Sequence, residues 1–199
     1  MIFRTINVLF HPIIIPVVAA TLYFSIAPRF IPDGIIQAKV FGILIITVLI
    51  PIVLSFFLKS MGIIPSVSNH SIKFLKIPLL IQSLLFFFVI KAIIHIYEYP
   101  ELYFFFLGIL FSILTTIFMI LFSIRVNLHM LGLGAVTMFS IALSIHFSIN
   151  LTLIISLLLM VCGVVATSQL FQREQSYIET ILGFIIGLLP QLTLVSSWL

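Results

Sequence analysis

Apolar runs of membrane-crossing length alternate with short polar breaks along almost the whole chain. A helix needs about 20 apolar residues to cross roughly 30 Å of bilayer hydrocarbon. Runs of that order occupy residues 11–27, 40–58, 77–97, 102–124, about 130–148, 151–166 and from about 180 to the C-terminus. The breaks carry turn chemistry: Pro28, Arg29, Pro32, Asp33 and Gly34 after the first run, and Glu98, Pro100 and Glu101 after the third. Asn127 to His129 precede the fifth run and Asn150 the sixth. The longest polar stretch, residues 59–76, contains Gly62, Pro65, Ser66, Ser68, Asn69 and His70 and reads as a loop. The pattern predicts an all-α, polytopic membrane protein of six or seven transmembrane helices in one domain, residues 1–199. The first, proline-interrupted run decides between the two counts.

Consecutive spans alternate in direction, so the stretch before span three, the break before span five and the block before span seven share one membrane face. Those three segments hold most of the charge and two of the five histidines. The chain therefore gathers its chemistry-capable side chains on one side.

Composition narrows the reading. Only 7% of residues are charged and 63% are hydrophobic, too little polar surface for a soluble domain to cover itself in water. The formal net charge of +4 comes without a basic run or aromatic-basic interleaving, so nucleic acid is not an expected partner. Membrane lipids are, and other membrane-protein subunits fit the short loops. Cys162, the single cysteine, rules out an intramolecular disulfide and reads as a small buried side chain. No carboxylate-histidine cluster suggests a metal, no histidine pair suggests haem, and no cofactor is expected. Lys91, inside the third run but near its end, reads as a side chain that snorkels to the interface.

On the shared face, Lys73 and Lys76 precede span three, and Arg125, Asn127 and His129 sit between spans four and five. Ser168, Gln169, Arg173, Glu174, Gln175 and Glu179 fill the third segment. Lysine and arginine at a membrane boundary bind phosphate as point charge and as fork, although the same residues commonly just end membrane helices.

The order and spacing of these residues resemble the type-2 phosphatidic acid phosphatase (lipid phosphate phosphatase) superfamily. That family carries a Lys followed by Arg-Pro, then Pro-Ser-Gly-His, then Ser-Arg, His and Asp at fixed spacing. Here Ser168-Gln169, five residues, Gln175, three residues, Glu179, three residues and Gly183 match the third motif in spacing. Val126-Asn127-Leu128-His129, followed by Gly132 and Gly134, is similar to the second, and Lys73 with Lys76-Ile77-Pro78 is a loose version of the first. His11-Pro12 also resembles bacterial members.

The resemblance implies a phosphatidic-acid-phosphatase-like helical bundle. It assigns catalytic positions to His129, Gln175 and Glu179, and phosphate-binding positions to Lys73, Lys76, Arg125, Asn127 and Gln169. The substitutions argue against the activity. The family's nucleophilic histidine is replaced by Gln175, whose amide nitrogen has a delocalised lone pair and does not attack phosphorus. The phosphate-binding arginine is replaced by Gln169, which loses a cation and a bidentate fork. Glu179 keeps a carboxylate but has no histidine to orient. Only His129, the leaving-group acid, keeps its identity, and an acid without a nucleophile does not run covalent phosphoryl transfer.

The expectation is a degenerate phosphatase-like protein of the bacterial inner membrane that binds a lipid phosphate or serves as an accessory subunit of a membrane complex. The first alternative is an active phosphatase on a lipid or isoprenoid phosphate, with a site repaired by His70 or Arg173 beside His129. The second is a small transporter or channel, for which the scattered Gln82, Thr115, Thr116 and Ser140 offer little polar lining. Counting positive charges puts the motif face in the cytoplasm, whereas bacterial family enzymes work on the outer leaflet.

Overall fold

The computed structural model describes residues 2–62, 75–172 and 175–199, apart from the side chains of Ile2, Phe3, Arg4 and Val8. His70, Lys73 and Arg173 fall outside the described residues. Among those described, the chain forms nine α-helices and no strand. They are α1 (Ile2–Leu9), α2 (Ile15–Ile26), α3 (Asp33–Leu44), α4 (Ile50–Ser60), α5 (Lys76–Ala92), α6 (Pro100–Leu121), α7 (Leu128–His146), α8 (Thr152–Phe171) and α9 (Tyr177–Val195). Helices α3 and α4 are continuous through a π turn, Ile45–Leu49. Five stretches are long and apolar enough to cross a membrane: Asp33–Ser60, α6, α7, α8 and α9. The multi-pass helical architecture read from hydropathy is present. At 12 and 17 residues, α2 and α5 are shorter than a full crossing.

Element boundaries follow local chemistry more closely than hydropathy does. The second run, expected from residue 40, begins at Asp33, where Pro32 ends the preceding loop and the Asp33 carboxylate lies at the positive end of the helix dipole. Pro51 lies inside this helix. It has no N–H, and its ring crowds the carbonyl four residues back. The π turn just before it widens the helix, with the Ile50 N–H bonded to the Ile45 carbonyl. The third run, expected to reach Tyr97, stops as helix at Ala92, and the chain turns through His95 with the Tyr99 N–H on the His95 carbonyl at 3.0 Å. Lys91 is exposed, its ammonium 5.9 Å from the Phe87 ring centre.

Helix α7 is the centre of the bundle. Of its most apolar window 67% is buried, against 22% for Asp33–Ser60, and its hydropathy is correspondingly lower, 1.8 against 2.9. A helix shielded by protein tolerates glycine, serine and threonine, whereas a lipid-facing one needs continuous apolar surface. The buried aromatic core lies beside α7, with Phe139 stacked 4.5 Å from Phe105 and Phe86 5.8 Å from Phe106. Cys162 is buried there too.

Helices α7 and α9 approach backbone to backbone. Gly183 and Gly187, spaced as a small-xxx-small pair, face Asn127 and Leu131, and Gly134 faces Phe184. A methyl group built at Gly187 meets the Leu131 carbonyl carbon at 2.8 Å, and one at Gly134 meets the Phe184 carbonyl oxygen at 2.5 Å. Pro190 inside α9 leaves the Ile186 carbonyl without its helical donor. Ser112 of α6 supplies one, its hydroxyl donating to Ile186 at 2.8 Å. One turn on, the Gln191 amide donates to the Phe105 carbonyl at 2.9 Å.

The end of the bundle opposite His129 is tied by a buried carboxylate. Glu101, expected in an exposed turn, is 1% exposed in the first turn of α6. Arg29 bonds it at 2.7 Å, the Tyr23 hydroxyl donates to it at 2.9 Å, and His146 Nε2 lies 3.3 Å away. Arg29 also bonds the Glu98 carbonyl, so one cluster joins the segment after α2 to the starts of α6 and the end of α7.

Candidate functional site

On the opposite face, Asn127 is fully buried and caps α7, its side-chain oxygen accepting from the His129 and Met130 amides at 3.0 and 3.2 Å. Such a cap stabilises a helix by about 1 kcal/mol. The Asn127 amide group donates to the side-chain oxygen of buried Gln169, and its own backbone N–H donates to the Glu179 carbonyl at 3.2 Å. Asn127 thereby links three segments far apart in sequence. Glu179 closes a capping box at the start of α9: its carboxylate accepts from the Ser176 N–H at 2.9 Å, and the Ser176 hydroxyl accepts from the Glu179 N–H at 3.3 Å.

The N-terminus joins the same end. Helix α1 packs against α8, where Asn7 accepts from the Ser168 hydroxyl at 3.1 Å. The Asn7 carbonyl lies 3.2 Å from His129 Nε2 and so receives the ring N–H. The neighbouring loop brings His11 edge-on to His129, with 5.6 Å between ring centres. His11 Nδ1 accepts from the Ile13 N–H at 3.3 Å, and burial pushes its imidazole below the usual histidine range.

A cavity of about 410 Å³ opens beside this pair, within the size range of small-molecule sites. Its polar end holds His11, His129 and Gln175, and the Gln175 side-chain oxygen is buried without a hydrogen-bond partner. Its walls are apolar: Pro51, Leu54 and Leu58 of α4, Leu79 and Phe86 of α5, and Ile109 and Ile113 of α6. Ser55 and Gln82 are the other polar side chains along the described wall. The arrangement is amphipathic, with hydrogen-bonding groups at one membrane face and an apolar slot running into the bundle.

The residues picked from sequence therefore divide. His129 and Gln175 line the cavity; Asn127 and Gln169 bond each other behind it; Glu179 caps α9. Lys76 and Arg125 are half-buried at the starts of α5 and α7 and are not among the lining residues. Lys73 lies outside the described residues. His11 and Asn7 were missed as site residues, although His11-Pro12 had been noted and Asn7 is a lone amide in an apolar helix. Among the described residues no group of three or more histidine, cysteine or acidic side chains is placed to hold a metal. No family model, curated protein or solved structure matches the chain.

Proposed function

We propose that this membrane protein is a catalytically silent, lipid-phosphate-phosphatase-like bundle that holds an amphiphilic lipid in the cavity beside His129, and serves as a lipid-binding or accessory subunit in the bacterial inner membrane. The observation that carries the reading is the cavity itself: His129 and Gln175, the acid and nucleophile positions of the resembled motifs, line one amphipathic slot of about 410 Å³. An apolar wall with a few convergent polar groups suits a lipid tail and headgroup. The amide of Gln175 is no nucleophile, and Glu179 is committed to its helix cap.

A hydrolytic reading has one specific support. His11 brings a second imidazole to within 5.6 Å of His129, and two imidazoles could divide the nucleophile and acid roles. Detergent-purified protein assayed for phosphate release from phosphatidic acid, phosphatidylglycerol phosphate and undecaprenyl pyrophosphate separates the two. The expected result is no turnover, with lipid co-purifying and recovered by extraction and mass spectrometry. Turnover that disappears in both His129→Ala and His11→Ala would overturn the silent reading.

A further inference from the structure

The polar end of the cavity offers a hydrogen-bonding pattern that discriminates between headgroups. We infer that the cavity selects an amphiphile with an uncharged hydroxyl headgroup, an isoprenoid or long-chain alcohol, over the corresponding phosphate. The inference rests on the reading that the cavity holds a lipid, and adds the headgroup class.

The first observation is the unpartnered Gln175 oxygen, a buried acceptor facing the cavity. A buried acceptor left unpaired is costly, and a hydroxyl satisfies it by donating. Phosphate oxygens near neutral pH are almost all acceptors and set lone pair against lone pair.

The second is the commitment of the two imidazoles. His129 Nε2 gives its hydrogen to the Asn7 carbonyl, so His129 Nδ1 is a bare acceptor. His11 Nδ1 receives the Ile13 N–H, so the His11 hydrogen is on Nε2. One donor and two acceptors remain, Gln175 Oε1 and His129 Nδ1. That set suits a hydroxyl, which both gives and receives.

The third observation concerns the places where phosphate usually binds. Helix N-termini attract anions through their free N–H groups and dipole. At α7 the first amides are bonded to Asn127, and at α9 the Glu179 amide is bonded to Ser176. The charge added at the α9 terminus is the Glu179 carboxylate, which repels a second anion.

The slot also fits the tail. From Pro78 to Phe86 the α5 wall runs eight residues, or roughly 12 Å at the helical rise, so the cavity takes the headgroup and the first part of one chain. A single isoprenoid or alkyl chain meets that shape.

The test is equilibrium binding of radiolabelled farnesol to the full-length, detergent-purified protein, competed with unlabelled farnesol or farnesyl monophosphate. Farnesol is expected to bind at least about tenfold more tightly than its phosphate, the ratio that follows from leaving a buried acceptor unpaired. Gln175→Leu should remove that preference by weakening farnesol. Gln175→Glu keeps an acceptor oxygen and should retain farnesol while rejecting the phosphate further. Phosphate binding as tight as farnesol, or loss of farnesol in Gln175→Glu with its fold intact by gel filtration, overturns the inference and leaves the lipid cavity standing. Binding of neither compound, nor of co-purified lipid, overturns the cavity reading and the inference with it.

Discussion

Gly187 is the position at which adding a single methyl group tests the bundle most sharply. An alanine Cβ there lies 2.8 Å from the Leu131 carbonyl carbon and 3.0 Å from its Cα, where ordinary contact begins at 3.4 Å. The obstructing atoms are backbone within the central helix and cannot rotate away, so α7 and α9 must part by roughly half an ångström or more. Overpacking of this kind costs about 1–3 kcal/mol, and the rigid neighbours place it at the upper end. Replacing a helical glycine by alanine returns up to about 1 kcal/mol through backbone entropy. The net loss of about 1–2 kcal/mol corresponds to a melting point lower by roughly 3–8 °C for a chain of this size. Cys162, the sole thiol and buried, makes the assay direct: a dye that fluoresces on reacting with thiols reports unfolding. Gly163→Ala is the control, because a methyl there meets nothing within 4 Å and should leave the melting point unchanged or slightly raised. If Gly187→Ala melts together with Gly163→Ala, the close α7–α9 approach is not what holds the bundle.

Other substitutions probe the remaining joints by the same melt. Ser112→Ala removes the donor to the Ile186 carbonyl that Pro190 has stranded and should cost about 1–3 kcal/mol; Ser112→Thr, which keeps the hydroxyl, should recover part of it. Glu101→Ala strips a buried acceptor from Tyr23 and Arg29 and should lower the melting point by more than Arg29→Ala, because Arg29 is 39% exposed and can turn to water; equal effects would contradict the clustered reading. Asn127→Ala removes the α7 cap and leaves the Gln169 amide oxygen without its donor, for about 2–3 kcal/mol in all.

Much of the fold was legible because lipid imposes a one-dimensional rule. Each crossing must be apolar over its length, so the runs ending near Ile124 and starting near Leu151 appeared at close to their positions in the structure. Where polar chemistry opposed hydropathy, boundaries moved: Asp33 begins a helix seven residues before the apolar run, and the third run unwinds at Ala92. The site was legible in part for a related reason. Alternating spans bring the Asn127 and Gln175 segments to one face whatever the packing, and both are found there.

Taken by itself, the sequence determined that the chain is a helical membrane protein, roughly where its helices run, and which polar segments meet. Each follows from composition and periodicity along one dimension. Only the tertiary structure decided which polar groups face the cavity and which satisfy one another. Asn127 and Gln169, placed with the phosphate ligands by spacing, turn to each other because buried amides need partners inside a bundle. Glu101, in a stretch that reads as a turn, becomes the buried tie between Arg29, Tyr23 and His146 because segments 72 and 78 residues away fold over it. His11 reaches His129 only because α1 docks on α8 through Asn7, a contact that spans 161 residues and leaves no periodic trace in the chain.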